Sequence, residues 1–154
     1  MKKLDRLDRR LLELVQRDAS LTNDQLSGRI GLSPSAIHRR LRKLQASGAI
    51  EGRFALVDPA KVGSGALYAV GLEVERERPE LVQPLRAWLR DEAAVQQAYY
   101  VTGTSDYLLL ISAPDIAAFD QLMSRMMQQN PNVRRFTTNV VMMAIKRGLF
   151  VPVE

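Results

Sequence analysis

The sequence contains no cysteine, which removes disulfides, thiol nucleophiles and thiolate zinc sites together and makes a cytoplasmic setting the simplest expectation. Histidine is almost as scarce. His38 is the only one, and no Cys, carboxylate or second His stands one turn from it in a ligand spacing, so neither a metal nor a cofactor is expected. No apolar run approaches the ~18 residues that would span a membrane. Met1, Lys2 and Lys3 lead into an amphipathic stretch without an apolar secretion segment, so neither export nor a membrane partner is expected.

What is present is enough hydrophobic residue, 46% of 154, to pack one ordinary domain or two small ones. The formal charge of +5 is unevenly placed: residues 1 to 60 hold 12 Lys or Arg against 7 Asp or Glu, and residues 61 to 154 hold 10 against 10. A basic first part and a neutral second part suggest a nucleic-acid-binding module, 1–60, joined to a domain with another task, 61–154.

The spacing predicts three helices in the first part. Leu4, Leu7, Leu11, Leu12, Leu14 and Val15 form a helical stripe, with Asp5, Asp8, Arg9 and Glu13 on the wet side. Thr22 with Gln25 three positions on reads as a capping box that opens a short second helix, closed by Gly31. Ser33 caps a third helix with Pro34 at its first position, and Gly48 ends it. Ile37, Leu41 and Leu44 give this helix one apolar edge. His38, Arg39, Arg42 and Lys43 are left outside, and Arg40 flanks the buried edge. Three short helices with a tight turn before a cationic last one make a helix-turn-helix, whose last helix enters the major groove of double-stranded DNA. Arg39 and Arg42 are the choices for base reading, Arg40 and Lys43 for phosphates, and His38 for either. Ser33 and Ser35 at the helix start complete the contact set. Residues 49–58 read as a short strand or wing and a linker.

The second part reads as strand 66–74, helix 79–91 with Leu81, Val82, Leu85, Trp88 and Leu89 inward, and strands 94–102 and 107–113 around Gly103. A helix over 115–129 follows, with Ile116, Phe119, Leu122, Met123, Met126 and Met127 inward, then a final strand 133–146. This β-α-β-β-α-β order is ferredoxin-like, so the chain is α+β: a three-helix winged helix-turn-helix domain plus a ferredoxin-like domain. Two helices cover one face of such a sheet, yet residues 66–72, 107–111 and 140–145 are apolar on both faces. A second copy is therefore expected on the uncovered face, giving a homodimer with two recognition helices.

Leu4-Asp5-Arg6-Leu7-Asp8, Gly31-Leu32-Ser33-Pro34-Ser35, Arg39-Arg40-Leu41-Arg42-Lys43-Leu44 and Gly48-Ala49-Ile50 stand in the first part. Val101-Thr102-Gly103 with Asp106-Tyr107, and the stretch from Thr138 to Lys146, stand in the second. In this order the chain resembles the Lrp/AsnC family, the leucine-responsive or feast/famine transcriptional regulators, over nearly its whole length. The resemblance implies DNA binding by the first module, dimers that assemble further into octamers, and an amino-acid effector near the Gly103 turn where dimers meet. Gly103, Thr104, Asp106 and Thr138 are the candidate effector residues: Asp106 can pair with an ammonium, and backbone donors with Thr104 or Thr138 can meet a carboxylate. At two places the chain departs from the family's pattern. Thr104 stands where an acidic residue is common, and Ser105 where an aromatic one is usual.

Two rival readings differ in class. An architectural DNA-packing protein would have the same first module and no effector. Some sirohaem decarboxylases are similar in their two-domain organisation, but they rely on C-terminal histidine and arginine residues. Residues 61–154 contain no histidine, which removes the most natural general base near neutral pH.

Overall fold

A computed structural model describes residues 4–63 and 65–153. The chain forms two compact units, Met1–Leu56 with Lys146–Glu154, and Val57–Ile145.

In the first unit α1 (Arg6–Arg17), α2 (Asn23–Ile30) and α3 (Pro34–Ala46) each begin at a side-chain cap. Asp5 accepts from the Asp8 N–H at 2.7 Å, and Asp8 returns a bond to the Asp5 N–H, a capping box that the sequence reading did not pick out. Thr22 and Gln25 make the expected one, and Gly31 closes α2 in the left-handed region at φ 82°. Ser33 accepts from the Ala36 N–H at 3.3 Å, with Pro34 in the first turn, where its missing N–H costs nothing. Leu11, Leu12, Leu21, Leu26, Ile37, Leu41 and Leu44 are the buried core. Of the strand or wing and linker expected over 49–58, no strand is formed among the described residues: Ala49 and Ile50 bend back to donate to the Leu44 carbonyl, and 51–58 have no regular structure.

Two further ties hold this unit. The Arg40 guanidinium donates to Asp5 at 2.7 Å and to Asp8 at 2.6 Å, bridging α3 to the start of α1. Asp8 is buried, so this cation answers a carboxylate that would otherwise be costly. The second tie is the chain's end. Gln16 bonds both backbone groups of Val151, its amide donating to the carbonyl at 3.0 Å and its carbonyl accepting from the N–H at 2.8 Å. Arg17 lies 5.4 Å from the centre of the Phe150 ring, and Val153 packs on the helical core.

The second unit is a four-stranded antiparallel sheet in the order β2-β3-β1-β4, from β1 (Ala66–Val74), β2 (Val95–Tyr100), β3 (Tyr107–Ala113) and β4 (Val133–Val140). Helices α4 (Pro79–Asp91) and α5 (Ile116–Gln129) follow β1 and β3, giving the ferredoxin-like β-α-β-β-α-β order. On the covered face Tyr68, Val70, Leu72, Tyr107, Leu109 and Ile111 meet Leu85, Leu89, Phe119, Leu122, Met123 and Met126. Tyr68 stacks on Phe119 with ring centres 4.1 Å apart. Trp88 is only partly buried and donates to Gln129 at 2.7 Å, and Ile116, expected inward, is exposed.

Alternation puts Leu67, Ala69 and Gly71 of β1 on the other face, with Leu108 and Leu110 of β3 and Thr137 and Asn139 of β4 beside them in register. Leu108 is 49% exposed there. The final strand is shorter than the expected 133–146. Val141 makes the last ladder bond, to the Leu67 carbonyl at 2.8 Å, because β1 starts at Ala66 and offers β4 no backbone beyond that point. Met142, Met143 and Ile145 are therefore exposed and belong to no sheet.

Replacing Arg40 by Gln should cost about 2 kcal/mol at neutral pH, since Asp8 loses its charged partner. The Asp8 amide and, next, Arg40 hold the Asp5 carboxyl below its ordinary value. A depressed folded value gives stability that is present above the unfolded Asp value and lost as pH falls through the folded one. Arg40→Gln should accordingly show a weaker loss of stability on acidification below the usual carboxylate range, as read by urea unfolding across pH. Ending the chain at Arg147 should lower the stability of the first unit by roughly 1–2 kcal/mol, since the Val153 and Phe150 contacts go with it. Thermal unfolding followed by helical circular dichroism measures this.

Candidate DNA-binding surface and effector loop

The buried edge of α3 fixes which of its side chains can face a partner. With Ile37, Leu41 and Leu44 turned inward, His38, Arg39, Arg42 and Lys43 are all exposed. No carboxylate pairs with Arg39, Arg42 or Lys43 among the described residues. Ser33 and Ser35 sit exposed at the helix start, their hydroxyls 3.1 Å apart, next to backbone N–H groups that favour an anion. Arg40 is different. Its charge is already matched by Asp5 and Asp8, and its side chain is only 25% exposed, so the structure sets it apart from the free cations it accompanies in sequence.

The second candidate site is the turn from Val101 to Asp106, between β2 and β3. Its ends are fastened: Val101 donates to the Asp106 carbonyl at 2.9 Å, and Asp106 donates to Leu72 at 2.8 Å. The Asp106 carboxylate accepts from the Val74 N–H at 2.7 Å, anchoring the turn to β1. Gly103 at φ 124° occupies backbone space that a side chain would strain, and Thr104 beside it is exposed.

Thr138 is not brought to this turn by its side chain. It pairs with Val70 on the covered face, and its hydroxyl is buried with no hydrogen-bond partner. The neighbouring Thr137 holds the matching place on the open face. A Cβ at Gly71 would lie 2.5 Å from the Ser105 hydroxyl oxygen and 3.0 Å from that of Thr137, so Gly71, Ser105 and Thr137 form a tight group under the turn. Sequence reasoning missed this group. Its signal was a glycine in the middle of an apolar strand, a place where another group often approaches the backbone.

The chain matches two family models end to end: a winged helix-turn-helix DNA-binding domain over residues 4–51 and the Lrp/AsnC ligand binding domain over residues 68–149. It is 36% identical over 151 residues to an HTH-type transcriptional regulator of Sinorhizobium fredii, covering 98% of this chain and 89% of that one. Among solved structures, an AsnC family transcriptional regulator from Agrobacterium tumefaciens superposes with a TM-score of 0.87 at 32% identity, covering 97% of each chain. A transcriptional regulator of Neisseria meningitidis, solved as a complex with L-Met, does so with a TM-score of 0.87 at 29% identity and the same coverage. With the capped helix-turn-helix and the ferredoxin-like sheet in place, the matches identify the role as regulatory: the chain belongs to the Lrp/AsnC family of DNA-binding transcriptional regulators.

Proposed function

We propose that the protein regulates transcription as a homodimer, or an octamer built from dimers, that reads double-stranded DNA with α3 and responds to an amino acid at the Gly103 turn. The observation that carries the DNA reading is the exposed, unmatched cationic face of α3. Arg39 and Arg42 read bases through their bidentate forks, while Lys43, His38 and the Ser33–Ser35 start hold phosphates. Arg40 supports the fold of the module from behind. The apolar part of the open sheet face, with Leu67, Leu108 and Leu110, supports a two-fold contact with a second copy. For the effector, support comes from the matched ligand-binding domain and the L-Met complex of the Neisseria relative. Thr104 and Thr137 offer hydroxyls to a zwitterion, and Asp106 holds the turn that presents them.

Arg42→Ala should lower the ratio of specific to nonspecific affinity. Lys43→Ala should weaken binding to all DNA alike and reduce the salt slope by roughly 1. An Arg39/Arg42 double alanine variant that binds DNA as the parent does at matched salt would defeat the assignment of α3.

Leu108→Glu should dissociate the assembly, because an unpaired charge would be placed in an apolar contact. Sedimentation at micromolar concentration reads this, and a parent protein that is monomeric there refutes the open face as the interface. Titrating amino acids in the same assay should shift assembly or DNA affinity for at least one of them. Silence across all of them at millimolar concentration returns the protein to the architectural, effector-free reading.

A further inference from the structure

The cleft between α4 and β2 holds two guanidiniums that no carboxylate neutralises among the described residues. Arg86 and Arg90 stand one turn apart on α4 and so share a face. Both line a cavity of about 440 Å³ together with Leu89, Val95, Gln97 and Tyr100. That volume falls in the range of small-ligand sites, roughly 300–1,000 Å³.

Arg86 is held in place. Its Nε donates to the Tyr107 hydroxyl at 3.1 Å, and its guanidinium carbon lies 5.3 Å from the centre of the Tyr100 ring. The Tyr100 and Tyr107 rings are themselves in contact, with centres 5.3 Å apart. Tyr107 is buried, so the hydroxyl that receives the Arg86 Nε–H is fixed from behind. With Nε committed, the two terminal nitrogens remain as the end of the fork that grips a carboxylate through parallel hydrogen bonds. The walls are not wholly polar. Leu89 is buried beneath the cavity, and Val95 and Ala98 line its β2 side.

We propose that this cleft binds a small organic carboxylate with a short apolar tail, at a site distinct from the Gly103 turn. The guanidinium of Arg86 takes the carboxylate, Arg90 adds the second charge, and the tail lies on Leu89 and Val95. An inorganic anion would satisfy the guanidiniums and leave the apolar wall unused, which is why the organic carboxylate is the better fit. None of Gly103, Thr104, Asp106 or Thr137 lines the cavity, so the assignment stands independently of the effector reading.

Isothermal titration calorimetry of the full chain with isovalerate, isovaleramide and inorganic phosphate tests it. Isovalerate should bind at millimolar concentration or below, with the uncharged amide weaker by about tenfold or more because the charged hydrogen bonds are lost. Arg86→Gln should weaken isovalerate by a similar factor. Arg86→Lys should not restore it, since a point charge lacks the fork. Arg90→Gln changes an exposed side chain and serves as the second variant should Arg86→Gln fold poorly, which circular dichroism reports. Thr104→Ala, an exposed change on the Gly103 turn, should leave isovalerate binding unchanged. The proposal is overturned if isovalerate does not bind, if the amide binds equally, if phosphate binds more tightly, or if Thr104→Ala abolishes the signal.

Discussion

Two helices cover one face of a four-stranded sheet, and the second unit's other features follow from the face they leave bare. The covered face can be filled by large side chains, and Tyr68 on Phe119 with the buried leucines and methionines fills it. The bare face holds Leu67, Ala69, Leu108 and Leu110 beside Thr137, Asn139 and Glu73, a mixture too apolar for water alone and too polar for a core. The homodimer proposed above would resolve the conflict by covering this face. A two-fold arrangement also gives the DNA-binding module the paired recognition helices that two half-sites require.

The helix ends were the most legible feature of the sequence. Thr22 with Gln25, Gly31, and Ser33 with Pro34 all act locally, through groups within three or four residues, so short-range pattern reading finds them. The order of elements along the chain was legible for a similar reason, since each helix of the second unit is bounded by turns and shows a clear apolar stripe. What the pattern could not supply was partner length. Val140 to Ile145 has the composition of a strand, but a strand needs facing backbone, and β1 begins too late in the chain to provide it. The return of the chain end to Gln16 and Val153's place in the helical core depend on contacts across most of the chain, which no local pattern announces.

The site residues divide along the same line. Periodicity placed His38, Arg39, Arg42 and Lys43 outside correctly because Ile37, Leu41 and Leu44 define the inward edge so sharply. Arg40 lies at the border of that edge, where helical phase alone does not decide between water and a neighbouring helix. Two carboxylates at the start of α1 decided it. Thr137 and Thr138 show the strand version of this problem: one residue of register moves a hydroxyl from one face of the sheet to the other.

This register also bears on how a small ligand could act at a distance. A ligand shifts an equilibrium between assemblies only through contacts that differ between them, so a group already satisfied within one copy contributes equally to both and carries no coupling. Asp106 gives one carboxylate oxygen to Val74 in its own chain, and that bond needs no second copy. That bond holds the turn in shape. The coupling proposed above needs groups whose surroundings differ between assemblies, and at this turn the groups with that opportunity are Thr104, which is exposed, and Thr137, which lies on the bare face beside Ser105. The usual reading of such a site starts from its charged residue. Here the charge shapes the turn, and under the proposed function the neutral hydroxyls beside it would tell one assembly from another.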